Sequence, residues 1–142
     1  MPKLSKSEIE TYQNKGYVIP DYTVPENLLR SLKEALEETL NINSNIRPEQ
    51  LASIHTEKSS ANDTVGHSTF LETALNPELV DLVSSVLGDD IIMWGVQLFC
   101  KPGVDGMEVP MHQDGQYWPI RPLKTCTMWL AIDDADRDNG CL

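Results

Sequence analysis

Apolar residues recur at three- and four-residue steps through the first part of the chain and alternate after about residue 89. The first stretch, SKSEIETYQNKG, offers Ser5 or Ser7 as an N-cap, carboxylates in the first turn and Gly16 as a stop, so it predicts a helix. YVIP after it reads as a short strand. VPENLLRSLKEALEETL predicts the clearest helix, with Pro25 in its first turn. Leu28, Leu29, Leu32, Ala35, Leu36 and Leu40 form one apolar face, and Glu26, Arg30, Lys33, Glu34, Glu37 and Glu38 form a solvated one. NPELVDLVSSVLGDD predicts another, capped by Asn76, started by Pro77 and closed by Gly88, with Leu79, Val80, Val83, Val86 and Leu87 facing inward. Between these helices, Asn41 to Thr69 is polar and weakly patterned. It reads as a long connection with a short helix at Glu49–Ile54, of the kind that covers a site.

From Asp90 the pattern turns to strands. DIIMWGVQLFCK is rich in β-forming residues and reads as buried on both faces near its start. KPGVDG is turn chemistry, and MEVPMHQD and KTCTMWLAIDD are further strand candidates. The expected class is α+β: a β-sandwich, jelly roll or barrel with helices packed outside, in one domain that is mainly helical over 1–88. Asn139-Gly140 sits where a hairpin turn belongs, and only Cys141 and Leu142 follow. The expectation is a sheet with an unpaired edge, in a chain that is part of a longer protein.

Charge and cysteine usage narrow the function classes. Acidic residues outnumber basic ones 22 to 11, a net charge of −11, which repels phosphate backbones and argues against nucleic acid as a partner. No apolar run is long enough to span a bilayer and no secretory leader opens the chain, so a soluble, cytoplasmic protein with no membrane partner is expected. Cys100, Cys126 and Cys141 form no metal-ligand spacing; Cys100 and Cys126 read as small buried hydrophobes. Oligomeric state has no signature in the sequence.

The candidate chemistry lies in EVPMHQDGQYWPI. On a strand, His112 and Asp114 would share a side, close enough for an imidazole nitrogen and a carboxylate oxygen to converge on one metal. Two histidines and one carboxylate suit non-haem Fe(II), leaving coordination positions open. Spacing alone is weak, because three histidines in so acidic a chain give roughly a 0.4 chance of one such pair. His55-Thr56-Glu57 is a second instance, in a polar segment better read as solvated loop. His67 has no carboxylate at that spacing and reads as a surface or helix-start residue. GQYWP after Asp114 can wall a pocket with rings. On these grounds a metal pair and a structural turn both stand.

EVPMHQDGQYWPIRPLKTCTMWLAIDDADRDNGCL and WGVQLFCKPG resemble the phytanoyl-CoA dioxygenase family of Fe(II)- and 2-oxoglutarate-dependent oxygenases. The resemblance covers about the last third of the chain. It implies a double-stranded β-helix (jelly-roll, cupin-like) core, incomplete at the C-terminus, with N-terminal helices outside. It makes His112 and Asp114 two of three iron ligands and the catalytic pair, and places the third ligand and an oxoacid-binding arginine beyond Leu142. Gln97, Thr127, Trp129 and Trp118 match positions around the co-substrate and metal; Lys101 reads as structural or a rim charge. Cofactors implied are Fe(II), 2-oxoglutarate and O₂, with ascorbate as a reductant. The implied reaction hydroxylates a small organic substrate, with this chain inactive alone. The alternatives are a non-catalytic jelly-roll domain for binding or structure, and a cupin-like enzyme using another divalent ion.

Overall fold

The computed structural model describes residues 3–59 and 62–141. They divide into two compact units, Met1–Val24, Leu75–Met93 and Met111–Trp129 in one, Pro25–Ala74, Trp94–Pro110 and Leu130–Leu142 in the other. In the first, α1 (Lys6–Lys15) starts at a capping box: Ser5 Oγ accepts from the Glu8 amide and the Glu8 carboxylate accepts from the Ser5 amide. The helix ends at Gly16, whose φ of 80° a side chain would resist. A second oxygen of Glu8 accepts from the Asp21 amide at 2.7 Å and so folds the following chain back onto the helix start. The Ser5 hydroxyl, which donates to the Glu8 carboxylate at 2.6 Å, and then the Asp21 and Ser5 amides hold the Glu8 carboxyl below the usual range.

The helix from Asn76, α4 (Pro77–Leu87), forms with the expected cap and stop and packs on α1. Its buried residues are Leu79 and Leu82, whereas Val80, Val83, Val86 and Leu87 are half-buried. The apolar stripe is therefore narrower than its composition implies, because α1 buries no residue of its own and covers only part of that face.

In the second unit α2 (Glu26–Ile42) forms as expected and packs on α3 (Ser68–Ala74), a helix that the polar texture before it hides. Leu32 and Ala35 of α2, Leu51, Ile54 and Phe70 make the core. Val96, Leu98, Leu130 and Ile132 pack against it, while Gln97, Phe99 and Ala131 face away. That alternation is the period of a strand. Yet no strand forms among the described residues, whose one bridge is Lys58 with Val65. YVIP, DIIMWGVQLFCK, MEVPMHQD up to Gln113 and KTCTMWLAIDD run as irregular chain. A helix closes its hydrogen bonds locally, whereas a strand forms only beside a partner. The expected two-faced burial at the start of DIIMWGVQLFCK is not observed, since Ile92 is 94% and Trp94 64% exposed.

The long connection is packed rather than loose. The expected helix at Glu49–Ile54 is instead a 3₁₀ turn at Pro48–Gln50 followed by non-helical chain. Asn43, Ser59 and Thr64 are buried. Asn43 Oδ1 accepts from the Val65 amide at 2.8 Å, and its Nδ2 donates to the carbonyls of Val65 at 2.8 Å and Thr39 at 2.7 Å. Asn43→Ala would remove the partner of the part-buried Val65 amide and carbonyl, while the Thr39 carbonyl keeps the Asn43 amide, so urea denaturation should show a loss of about 1–3 kcal/mol.

Arg47 joins this connection to the KPGVDG turn. It donates to Glu49 at 3.0 Å and to the Asp105 carboxylate at 3.1 Å and carbonyl at 3.0 Å. Glu49 also accepts from the Met107 amide at 3.1 Å. Chiefly through Arg47, the Glu49 carboxyl is held down at about 2. A depressed carboxyl stabilises the fold fully above its unfolded value of about 4.3, and that contribution disappears as pH falls. Thermal melts should therefore lose stability between about pH 4.3 and about 2. Glu49→Gln should flatten that part of the profile.

Candidate metal centre

His112 and Asp114 lie in the first unit, where the chain enters a 3₁₀ turn at Asp114–Gln116. The Gln116 amide donates to the Gln113 carbonyl at 3.2 Å and the Tyr117 amide to the Asp114 carbonyl at 2.9 Å. The turn replaces the end of the expected strand, but the two side chains still meet: His112 Nε2 lies 3.1 Å from Asp114 Oδ1. Two ligands about 2.1 Å from one ion and at right angles are themselves about 3.0 Å apart. The approach is that of a His–Asp hydrogen bond, and it matches the separation of two such ligands; a neutral nitrogen and a hard oxygen are donors of a type that divalent transition metals accept. Both side chains are about half exposed, so an ion could reach them.

Tyr117 stands edge-on to the His112 ring, with centroids 6.4 Å apart and planes at 66°. The aromatic run after Asp114 thus supplies a neighbour for the imidazole, from a position the sequence singles out only as pocket wall. Trp118 is half-buried, and Thr127 and Trp129 are exposed in the same unit. The Lys124 ammonium ties their segment to α4 by donating to the Leu87 carbonyl at 2.7 Å. Among the described residues no group of three or more His, Cys, Asp or Glu gathers for a metal.

Gln97 belongs to the second unit, exposed and lining a cleft of about 180 Å³ with Glu49, Leu51, Cys100, Lys101 and Met107. Lys101, exposed at this cleft, donates to the Gly140 carbonyl at 3.2 Å. Cys100 is half-buried, and burial pushes its thiol up. Cys126 is half-buried as well. The remaining histidines have structural partners. His55 Nδ1 accepts from the Val96 amide at 3.3 Å. His67 opens α3, accepting from the Thr69 amide at 3.2 Å while its Nε2 lies 3.2 Å from Glu38. At Asn139-Gly140 a turn does form: the Asn139 side chain accepts from the Asp136 amide and donates to the Asp134 carbonyl, and Gly140 has φ 84°.

The model of the phytanoyl-CoA dioxygenase (PhyH) family matches residues 12–142. The chain belongs to the phytanoyl-CoA dioxygenase family. Among curated relatives, a probable phytanoyl-CoA dioxygenase of Caenorhabditis elegans is 26% identical over 98% of this chain and 51% of its own length. The peroxisomal phytanoyl-CoA dioxygenase of Bos taurus is 36% identical over 46% of this chain and 21% of its own. A phytanoyl-CoA dioxygenase domain-containing protein 1 homolog of Dictyostelium discoideum is 31% identical over 60% and 32%. The chain spans about half the length of the C. elegans relative and less of the other two. No solved structure matches it significantly. None of its described helices is long and apolar enough to cross a membrane.

Proposed function

We propose that His112 and Asp114 are two of three protein ligands to Fe(II) in a dioxygenase that uses 2-oxoglutarate and O₂ to hydroxylate a small organic substrate. The observation that carries this reading is the 3.1 Å approach of His112 Nε2 to Asp114 Oδ1 in a chain whose family match runs from 12 to 142. When bound, the metal supplies open coordination positions at which the oxoacid and O₂ are activated for attack on a C–H bond.

The chain's own part is placement. His112 must offer Nε2 without its proton, which puts the ring proton on Nδ1. Asp114 is held at the backbone by the Tyr117 amide, and the Tyr117 ring stands edge-on to the imidazole. Trp118, Thr127 and Trp129 wall the site, and Gln97 approaches the oxoacid, as the family resemblance implies. In relatives that halogenate, a small residue replaces the carboxylate; Asp114 therefore favours hydroxylation.

The third ligand and the oxoacid-binding arginine are assigned to the part of the family's length that this chain does not span. So are the strands that would pair with the alternating segments and complete a jelly roll. A protein of full family length, given Fe(II), ascorbate and 2-oxoglutarate, should release succinate only when both metal and oxoacid are present. Succinate no higher than in a metal-free control would contradict the proposal.

A further inference from the structure

We infer that His55 is a positioning residue: by accepting the Val96 N–H it fixes the segment that carries Gln97. The effect on catalysis rests on the oxygenase reading above, in which Gln97 approaches the oxoacid. The fixing of the segment does not.

Among the described residues no strand lies beside the segment from Gly95 to Cys100. Val96 and Leu98 press onto the core of the second unit and leave Gln97 facing the cleft. Those apolar contacts set which face of the segment meets the core but are non-directional. The hydrogen bond from the Val96 amide to His55 Nδ1, 3.3 Å long, adds a direction. It involves the residue directly before Gln97. It also sets the imidazole's tautomer, since a nitrogen that accepts carries no proton. The ring sits beside Gly95, where an added β-carbon would lie 3.6 Å from His55 Cε1.

His55 is itself firmly held. Ile54, directly before it, is 1% exposed. The Ile54 carbonyl accepts from the His67 amide at 2.8 Å. Ser53 is held at φ 54°, a left-handed angle uncommon for a residue with a side chain, and its carbonyl accepts from both the amide and the hydroxyl of Thr56. Asn43 then joins the far arm of this connection, at Val65, to the end of α2. A continuous set of directional bonds thus leads from α2 through the connection to the residue before Gln97.

The test uses His55→Ala, His55→Asn and Gln97→Ala. Asparagine can return an acceptor near the position of Nδ1, whereas a role in packing alone would not be rescued by it. His55→Ala should speed hydrogen exchange of the Val96 amide, and His55→Asn should restore it. In a protein of full family length, His55→Ala should raise the KM for 2-oxoglutarate about 3- to 10-fold, the equivalent of one hydrogen bond, with kcat unchanged at saturation. It should add nothing further in a Gln97→Ala background. Unchanged Val96 exchange in His55→Ala would overturn the inference, as would KM effects of the two substitutions that simply multiply. Absence of any succinate from the unaltered protein would count against the oxygenase, and Val96 exchange would still decide whether His55 fixes the segment.

Discussion

Gly66→Ala should destabilise the protein by about 3–5 kcal/mol, as much as emptying a core position. A β-carbon at residue 66 would lie inside the contact distance of two backbone oxygens, those of Ile54 and Thr56. Neither can move cheaply. The Ile54 carbonyl holds the His67 amide at 2.8 Å, and Ile54 itself is in the core. The Gly66 amide donates to Glu57 at 3.3 Å, so residue 66 is also tied to the strand-like arm opposite it. Relieving the overlap would separate the two arms of the connection and release Asn43 from Val65. Urea denaturation reads this directly. A midpoint like that of the unaltered protein would show that the arms are not closely packed.

The second large effect falls on metal affinity. On the proposed iron assignment, either His112→Ala or Asp114→Ala would remove one of two protein donors. Loss of a residue that merely supports a ligand typically weakens metal binding 10- to 100-fold, so loss of a ligand should exceed about 100-fold. Titration of the family-length protein with Mn(II), a paramagnetic probe of oxygen- and nitrogen-donor sites, would measure it. The same substitutions should leave thermal stability within about 1 kcal/mol, because a half-exposed His–Asp pair contributes little to folding. The two readings of the motif separate here. A structural turn predicts a loss of stability with no change in metal affinity, and a ligand pair predicts the reverse.

What the sequence reveals follows from how far apart the determinants of each feature lie. The three long helices are readable because their signals are local. Ser5 and Gly16 bound α1, Pro25 stands at the start of α2, and Asn76 and Gly88 bound α4. The loop hides its order because Asn43 and Val65, 22 residues apart, are joined by a side chain that composition counts only as polar. α3 is too short, at 7 residues, to show a full amphipathic period. The alternation of Val96, Leu98, Leu130 and Ile132 is readable and holds against the core, but alternation does not supply the strand beside it. At the candidate site, His112 and Asp114 are readable because only Gln113 separates them. The role of His55 is not readable, because Val96 lies 41 residues away.

The most direct measurement is succinate release from 2-oxoglutarate by the family-length protein and its Asp114→Ala variant, both loaded with Fe(II) under ascorbate. The iron assignment predicts release by the first and a fall of more than about 100-fold in the second, with both equally folded. Succinate release unchanged by the substitution would contradict the placing of Asp114 on the metal.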